Sequence, residues 1–275
     1  MSEITTLGII GDPVDHSISP AMHNAALRVL AIDEHYTRWH TPADHLAERV
    51  HSLRSHGRRG ANVTLPHKVA VVSLLDRCVA LAHEFGAVNT IVREHDGTLT
   101  GYNTDAPAFR DSLSALGVDG ATTHAVILGA GGAARAALWA LRQLNCRSIS
   151  VINRNRERAA ELVQAHEQAF SPDDSAVSMI MHDATLLINA TSLGWNKHDL
   201  APCQLDLLHG ELLVYDMVYR DTPLLQAART CGARSSDGLD MLVRQAGLAF
   251  ELWFGVPAPL DVMRHAAERA LQGNP

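Results

Sequence analysis

The chain has 275 residues, of which 47% are hydrophobic and 19% are charged, as is usual for a globular protein of one large or two ordinary domains. Thirty acidic against 23 basic residues give a net charge of −7, which disfavours an extended nucleic-acid-binding surface. Four scattered cysteines without a CxxC pair, and 16 histidines without an HExxH pair, predict a reducing, cytoplasmic setting and no metal site. No apolar run approaches 18 residues, and the first residues favour a strand over a signal peptide, so no membrane association is expected.

Strand and helix signals alternate through the first 85 residues, which favours a largely parallel sheet. The predicted elements are a strand over 6–10, a helix over 20–30, a strand over 35–39, a helix over 43–53, a strand over 60–64 and one or two helices over 69–85. Residues 87–103 break this rhythm, because two strand-like runs flank an Asp96-Gly97 turn pair. The sheet of this region should therefore be mixed.

Two serines lie at the start of the first predicted helix, in HSISPAMHN, residues 16–24. Ser19 is a favourable N-cap residue, and Pro20 suits the first helical position. Ser17 has no such structural explanation. Because hydroxyls beside a helix N-terminus suit a carboxylate, Ser17 and Ser19 are predicted to bind one.

Lys68 follows a strand that is stopped by a proline, in NVTLPHK, residues 62–68. Pro66 cannot donate to a sheet, so Lys68 should lie at the carboxyl end of the strand, with Thr64 nearby. The hairpin then closes in GYNTD, residues 101–105, where Asp105 ends a second strand. A single lysine is usually a solvated surface charge, but a lysine and an aspartate that converge at strand ends could move a proton at an alcohol carbon.

After Ala106 the alternation of helices and strands starts again. The predicted elements are a strand over 124–129, a helix over 132–144, a strand over 148–153, a helix over 155–168, strands near 185–189 and 211–216, and helices over 240–253 and 259–272, with a surface loop at 171–175. This is the pattern of a second α/β layer system.

The strand–turn–helix in HAVILGAGGAARAALWALRQL, residues 124–144, matches a dinucleotide-binding fingerprint. Gly129 permits the tight turn, Gly131 lets the backbone meet a pyrophosphate, and Ala134 keeps the helix close to the sheet. The helix N-terminus favours the phosphate charge. Because the motif has the required strand before it and another strand about 20 residues later, we expect a bound dinucleotide.

The end of the next strand indicates NADP. An NAD site normally offers a carboxylate there for the ribose hydroxyls, whereas this chain offers Asn153-Arg154-Asn155-Arg156-Glu157-Arg158. Arg154 and Arg158 are predicted to lie one helical turn apart and to clasp a 2′-phosphate, although a solvated basic helix face is the alternative. In INATSLGW, residues 188–195, Thr191 and Ser192 end another strand and are predicted to neighbour the cofactor.

The helix DMLVRQAGLAFELWF, residues 240–254, carries an amide on its predicted apolar stripe. Gln245 is flanked by Met241 and Leu242 before it and by Leu248, Ala249 and Leu252 after it at helical spacing. A buried amide needs hydrogen-bond partners, so Gln245 either caps a loop or binds ligand hydroxyls.

Taken together, these motifs resemble the shikimate dehydrogenase family and its quinate/shikimate relatives over nearly the whole chain. The motifs that carry the resemblance occur in the order HSISPAMHN, GANVTLPHK, GAVNT, GYNTD, GAGGAAR, INR, NATS, DMVY, TPLL and GLDMLVRQA. The resemblance implies an α/β protein of two domains. One is an N-terminal mixed-sheet substrate domain, residues 1–105 plus 238–275, and the other is a Rossmann-like doubly wound NADP domain, residues 106–237.

The resemblance also implies a role for each site residue in the reversible, NADP-dependent reduction of 3-dehydroshikimate to shikimate. Lys68 and Asp105 would be the catalytic pair. The substrate carboxylate would be bound by Ser17, Ser19, Thr64 and Tyr219, and the ring hydroxyls by Asn89, Asp105 and Gln245. The cofactor would be bound by Gly129, Ala130, Gly131, Gly132, Ala133, Asn153, Arg154, Arg158, Thr191, Ser192, Met217 and Gly238.

Three departures from the family pattern leave alternatives open. Asn155 replaces a common threonine, which puts the strictness of NADP over NAD in doubt, although Arg156 adds charge. Trp195 stands where Met is common, and Ile18 where Lys is common. A quinate or dual-specificity dehydrogenase is the nearest alternative, a non-catalytic dinucleotide-sensing regulator is a more distant one, and monomer and homodimer are both compatible with the sequence.

Overall fold

The computed structural model describes residues 5–196 and 198–273 of the chain. By its internal contacts the chain forms two units, of which one runs to Asp105 and resumes at Leu242, and the other comprises Ala106–Met241. The boundary placed at residue 238 from the sequence therefore lies four residues before the observed one. Met241 packs against the core of the second unit.

The first unit is built on a six-stranded mixed sheet in the order β2-β1-β3-β5-β6-β4. Its strands are β1 Thr5–Gly11, β2 His35–His40, β3 Gly60–Val63, β4 Arg77–Cys78, β5 Thr90–Arg93 and β6 Leu99–Tyr102. Strand β1 runs parallel to β2 and β3, whereas β5 runs antiparallel to β3 and β6. The predicted hairpin and mixed sheet are confirmed.

Helices cover this sheet and close its core. They are α1 Ser19–Val29, α2 Leu46–Ser52 and α3 Ala80–Phe85, with 3-10 turns at Ala43–His45 and Ala70–Leu74. A buried cluster of branched and aromatic side chains lies beneath them, with Ile10, Val50 and Ile91 at most 1% exposed. Burial of such apolar surface is the main force that holds the layers together.

The second unit contains a six-stranded parallel sheet in the order β12-β11-β10-β7-β8-β9. Its strands are β7 His124–Leu128, β8 Ser148–Ile152, β9 Gln168–Phe170, β10 Leu186–Asn189, β11 Leu213–Asp216 and β12 Arg234–Ser236. Its helices are α4 Asp105–Ala115, α5 Gly132–Gln143, α6 Arg156–Ala160, α7 Val177–Asp183 and α8 Pro223–Thr230, with 3-10 turns at Gly120–Thr122 and Leu205–Leu207. The strand order reverses between β7 and β10, which is the doubly wound arrangement that binds dinucleotides at the carboxyl ends of its strands.

The predicted helix over 155–168 is wrong beyond its first turn. Helix α6 ends at Ala160, and the chain then returns as β9, which pairs in parallel with β8 from Ser150 and Gln168 onward. A three-residue strand is too short to show an alternating pattern, so the helical signal of its surroundings hid it. Strands β4 and β12 and helices α7 and α8 were likewise not predicted.

The last two helices return to the first unit. They are α9 Leu239–Phe254 and α10 Leu260–Gln272, and α10 packs against α1. The indole Nε1 of Trp253 in α9 donates a hydrogen bond to the carbonyl of Ile91 in β5 at 2.9 Å. Within the described residues, no helix combines the length and apolar character needed to cross a bilayer, and no cluster of three metal-ligating side chains occurs.

Candidate active site

Lys68 lies in a loop that is held in place on both sides by hydrogen bonds. Strand β3 ends at Val63, and the His67 ring, 2% exposed, hydrogen-bonds the Thr41 carbonyl through Nε2 at 2.6 Å. The carbonyl of Lys68 itself accepts from the backbone N–H of Val88 at 2.8 Å. His67 therefore anchors the loop, and the backbone of Lys68 is fixed.

Lys68 and Asp105 form an ion pair in the first unit. The Lys68 Nζ lies 2.8 Å from Asp105 Oδ2, with the two side chains 31% and 20% exposed. Asn89 donates from Nδ2 to the other oxygen, Asp105 Oδ1, at 2.9 Å. Asp105 begins α4, three residues after β6 ends, and its backbone N–H donates to Asn103 Oδ1. The structure thus brings together the three predicted residues Lys68, Asn89 and Asp105.

The serine loop differs from the prediction at the helix cap. Ile18 occupies the N-cap of α1, Ser19 is already helical, and no side chain caps the first turn. The hydroxyl that accepts a backbone N–H is that of Ser17, which receives the N–H of Ser19 at 3.3 Å. Ser17 therefore has a structural role in the local turn. The sequence had assigned a structural role, helix capping, to Ser19 instead.

Arg38 of β2 holds the serine loop from outside, and sequence reasoning missed it. Its guanidinium donates through Nε and one terminal nitrogen to the Ser17 carbonyl at 3.0 and 2.7 Å. Two N–H groups of one planar guanidinium converge on this single oxygen and hold the peptide of Ser17 in place. An alternating strand with a charged residue at an exposed position gave no signal for this contact.

Thr64 and Gln245 lie in the first unit, and in the part of the chain that the structure describes no hydrogen bond joins either to the Lys68–Asp105 pair. Gln245 is half-buried and donates from Nε2 to the carbonyl of Leu242 in its own helix at 2.8 Å. The predicted apolar stripe is wrong, because the buried face of α9 runs instead through Val243, Ala246, Gly247, Ala249, Phe250 and Trp253. The face of Gln245 is left half-buried, where a polar ligand could reach it.

The glycine-rich loop after β7 has the geometry that a pyrophosphate requires. Gly129 has a φ of +105°, which side chains other than glycine rarely adopt. A Cβ added at Gly131 or Gly132 would meet no atom within 4 Å, so the backbone there is open to a close ligand. Gly131 is the N-cap of the 12-residue helix α5, which begins with Gly132 and Ala133, and all three residues are exposed. These residues fit a dinucleotide phosphate.

Arg154 does not lie on a helix, contrary to the prediction that it shares a helical face with Arg158. Helix α6 begins at Arg156, and Asn155 is its N-cap, with Oδ1 accepting the Arg158 N–H at 2.9 Å. Arg154 and Arg158 are both exposed, whereas the Arg156 guanidinium donates to the Ala169 carbonyl at 3.2 Å. Asn153 donates from its side chain to the carbonyl of Asn155.

The turn after β10 is stabilised by its own residues. Asn189 Oδ1 accepts from the backbone and hydroxyl of Thr191 at 3.0 and 2.7 Å, and the Thr191 hydroxyl accepts from Leu193 N at 3.1 Å. Thr191 is therefore a turn residue, while Ser192 is exposed. Asn189 also donates to Asp216, whose pKa is raised because burial outweighs its bonds to Thr222, Val218 and Asn189.

The loop after β11 contains the remaining predicted residues. A Cβ added at Gly238 would lie 2.2 Å from the carbonyl oxygen of Met217, so only glycine fits there. The ring of Tyr219 meets that of Trp195 edge-on at 5.2 Å, and the Arg220 guanidinium lies over Trp195 at 4.6 Å. Burial raises the pKa of Tyr219, which keeps its phenol a hydrogen-bond donor.

Three family models match the chain. They are the shikimate dehydrogenase substrate binding domain over residues 9–91, the shikimate / quinate 5-dehydrogenase over 113–194, and the shikimate 5′-dehydrogenase C-terminal domain over 238–268. Together they cover most of both units.

Individual relatives match the chain along nearly its whole length. The shikimate dehydrogenase (NADP(+)) of Symbiobacterium thermophilum is 42% identical, over 98% of this chain and 95% of the relative. A shikimate 5-dehydrogenase from Thermus thermophilus, solved with NADP(H) and shikimate, is 37% identical over 97% and 100% of the two chains, with a TM-score of 0.87. A quinate dehydrogenase from Corynebacterium glutamicum, solved with NAD, is 29% identical over 98% and 100%, with a TM-score of 0.88.

Proposed function

The chain belongs to the shikimate dehydrogenase family, and we propose that it is an oxidoreductase that catalyses the reversible reduction of 3-dehydroshikimate to shikimate with NADPH. The observation that carries this proposal is the ion pair of Lys68 with Asp105, whose second oxygen is bound by Asn89. An ammonium beside a carboxylate is the arrangement that proton transfer at an alcohol or ketone oxygen needs.

Lys68 and Asp105 handle the proton of this reaction. When NADPH is bound, it supplies the hydride that reaches the ring carbonyl carbon. In the reduction, Lys68 gives a proton to the carbonyl oxygen, and in the oxidation it takes that proton back. Asp105 holds the ammonium at 2.8 Å and accepts a hydrogen bond from a ring hydroxyl. The two groups act as one coupled pair, so their protonation states change together.

The substrate is bound through its carboxylate and its ring hydroxyls. The hydroxyls of Ser17, Ser19 and Thr64 bind the carboxylate. For Tyr219 the resemblance implies the same role, and the raised pKa of its phenol supports it as a donor. Asp105 and Gln245 bind ring hydroxyls, and the half-buried amide of Gln245 suits this task. Asn89, for which the resemblance implies the same role, is 2% exposed and uses its amide to hold Asp105 and Thr104, so it acts on the substrate through Asp105. The two bonds from Arg38 to the Ser17 carbonyl keep the serine loop in a fixed orientation.

NADP fits the second unit. The backbone from Gly129 to Ala133, which includes Ala130, binds the pyrophosphate, and exposed Arg154 and Arg158 bind the 2′-phosphate beside Asn153. Thr191, Ser192, Met217 and Gly238 line the rest of the cofactor site. Asn155 uses its Oδ1 to cap α6, which leaves its Nδ2 as the only side-chain donor that it could offer to a phosphate. The two arginines supply the positive charge for the 2′-phosphate.

Quinate is the second candidate substrate, favoured by the likeness to the quinate dehydrogenase from Corynebacterium glutamicum. Quinate differs from shikimate by an additional ring hydroxyl and by the absence of the double bond. Steady-state rates with shikimate and quinate, each with NADP and NAD, separate the four combinations. We expect shikimate with NADP to give a kcat/KM at least about tenfold above each other combination, since a site built for a charged or hydrogen-bonding group discriminates by at least that factor.

Two results would contradict the proposal in different ways. A higher kcat/KM for quinate than for shikimate would replace the substrate, and a higher value for NAD than for NADP would replace the cofactor. No turnover with any of the four combinations, in a protein that still binds NADPH, would remove the catalytic function altogether.

A further inference from the structure

A group of polar side chains lies behind Asp105 in the interior of the first unit. Asn62 of β3 is 5% exposed, Thr90 of β5 is 0% exposed, and Asn89 is 2% exposed. Buried polar groups are unfavourable unless each finds a hydrogen-bond partner. These three satisfy one another, and backbone groups at two points determine which atom donates in each bond.

The first fixed point is the amide of Asn89. Its Oδ1 accepts the backbone N–H of Thr104 at 2.8 Å, and because a backbone N–H can only donate, the oxygen must face it. Nδ2 of Asn89 therefore faces away, toward Asp105 Oδ1 at 2.9 Å and the Thr104 hydroxyl at 2.9 Å. In this orientation Asn89 can only donate to Asp105.

The second fixed point is the amide of Asn62. Its Nδ2 lies 3.2 Å from the backbone carbonyl of Asn89, which can only accept, so Nδ2 must be on that side. Nδ2 also donates to the hydroxyl of Thr90 at 3.1 Å. The nearest acceptor for the proton of that hydroxyl is then Asn89 Oδ1 at 3.2 Å, since the Thr104 hydroxyl lies farther away at 3.4 Å. On the opposite side, the phenol of Tyr36 donates to Asn62 Oδ1 at 2.7 Å.

All donors in this series therefore point the same way, from Tyr36 through Asn62, Thr90 and Asn89 to Asp105. We propose that Thr90 and Asn62 are positioning residues for the Lys68–Asp105 pair, because the bond from the Thr90 hydroxyl to Asn89 Oδ1 adds to the bond from the Thr104 N–H and keeps the Asn89 amide donating to Asp105 Oδ1. This inference rests on the proposed function. Its consequence is that Oδ1 accepts a hydrogen bond at all times and that Asp105 meets the Lys68 proton only through Oδ2.

Thr90→Val tests the inference because it replaces the hydroxyl by a methyl group of similar size. We expect kcat for shikimate oxidation to fall about tenfold, because Asn89 loses one hydrogen bond and holds Asp105 less firmly, with the KM for NADP within about twofold of the unaltered protein. Thr90→Ser keeps the hydroxyl and should recover kcat to within about threefold. Tyr36→Phe, which removes the most distant donor, should lower kcat less than Thr90→Val does.

Thr100→Val is the matched control. Thr100 is a buried threonine of the neighbouring strand β6, and its hydroxyl accepts from Arg77 instead of an amide of the series. This variant should lose a similar amount of thermal stability and keep its kcat. Equal loss of kcat in Thr90→Val and Thr100→Val, or full activity of Thr90→Val, would overturn the inference. If Thr90→Val does not fold, Thr90→Ala replaces it, with the same expectation.

A measurement without turnover separates this inference from the proposed function. The side-chain amide protons of Asn89, observed by NMR, should exchange with water at least about tenfold faster in Thr90→Val than in Thr90→Ser, because the bond that Thr90 donates to Asn89 Oδ1 is lost and the amide leaves its own acceptors more often. Unchanged exchange overturns the positioning role even if the protein turns over shikimate. Faster exchange in a protein that turns over neither shikimate nor quinate would instead refute only the proposed function.

Discussion

Lys68 stands in a chain that uses arginine almost everywhere else. Of the 23 basic residues only Lys68 and Lys197 are lysines. Arginine keeps its proton in proteins, whereas lysine can release one when its surroundings favour it. The scarcity of lysine in a sequence rich in arginine is therefore a signal that can be read from the residue counts. Beside Asp105, it favours a proton-transfer role for Lys68.

Lys68→Arg tests this distinction directly. The variant keeps the positive charge and can still pair with Asp105, but it cannot release a proton near neutral pH. We expect kcat to fall by about 10²–10⁴, as for loss of a general acid–base group, while NADPH affinity measured by fluorescence stays nearly unchanged.

Arg54→Lys is the control for that variant. Arg54 pairs with Asp76 through both carboxylate oxygens at the protein surface, and exchange of one cation for the other there should leave kcat unaltered. A Lys68→Arg protein with more than a tenth of the original kcat would contradict proton transfer by Lys68.

At the scale of single residues, the sequence predicted the central side-chain pair, but it did not predict how the neighbouring loops are held. The pairing of Lys68 with Asp105 follows from two strand ends in one sheet. Ser19 was expected to cap α1, but the helix begins at Ser19 itself and Ile18 occupies the N-cap position. The bonds from Arg38 to Ser17 join residues 21 positions apart, and no local pattern encodes such a contact.

At the scale of elements, long periodic segments were predictable and short edge strands were not. The β5–β6 hairpin and the glycine loop before α5 carry turn residues whose backbone geometry is strongly restricted. Strands β4, β9 and β12 have only two or three residues each, and they exist because a neighbouring strand offers free hydrogen-bonding groups. Their formation depends on tertiary contacts that the local sequence does not contain.

His23 joins α1, β2 and α9, and its burial makes this junction sensitive to acid. The ring is 1% exposed and stacks on Tyr36 at 4.3 Å between centroids, with Trp253 at 5.3 Å. Burial lowers the pKa of His23 from 6.5 to about 3, outweighing the opposite effect of Asn62. The folded state therefore does not take up a proton at His23, whereas the unfolded chain does so once the pH falls below about 6.5, the ordinary pKa of histidine.

Buried His23 therefore makes the protein less stable in acid. His23 leaves stability unaffected above pH 6.5, and it lowers the free energy of unfolding progressively as the pH falls from 6.5 toward 3. At pH 5 the loss from this group is about 2 kcal/mol. In His23→Phe, which retains the stacking, the decrease in free energy of unfolding between pH 7.5 and pH 5 should be smaller by about that amount.

Urea unfolding of both proteins at the two pH values measures this difference, and comparing changes with pH removes any constant effect of the substitution on packing. His40→Gln is the control, since His40 is exposed and pairs with Asp12, and it should follow the unaltered protein. An equal decrease for His23→Phe and the unaltered protein would show that His23 is not the source.

At the scale of the whole molecule, the fold class and the order of motifs were predictable, because each motif carries its own backbone requirement. The strand order of the second unit is the doubly wound order that such βαβ repeats form. The boundary at Leu242 could not be derived so closely, because α9 is one continuous helix that begins in one unit and ends in the other.

The second unit is contiguous in sequence and has its own core, so residues 106–241 should fold without the rest of the chain. Two buried clusters, one around Ile127 and Leu141 and one around Leu187 and Val214, lie within that range. We expect this fragment to unfold cooperatively on heating, followed by circular dichroism, and to bind NADPH.

The fragment carrying Gly131→Val is the matched control. A Cβ added at Gly131 meets no protein atom within 4 Å, so we expect the valine to leave folding unaffected while it fills the space for the pyrophosphate and abolishes NADPH binding. A non-cooperative or unfolded fragment would contradict the independence of this unit.

The return of α9 and α10 to the first unit has a consequence for the order of events on the ribosome. Residues 106–241 emerge before residues 242–275 do, so the second unit can complete its core while the first still lacks Trp253, the donor to Ile91, and α10, the partner of α1. The loop of Lys68 is thus synthesised early, but the unit around it is finished last. A newly made chain would be able to hold its cofactor before it is able to perform chemistry.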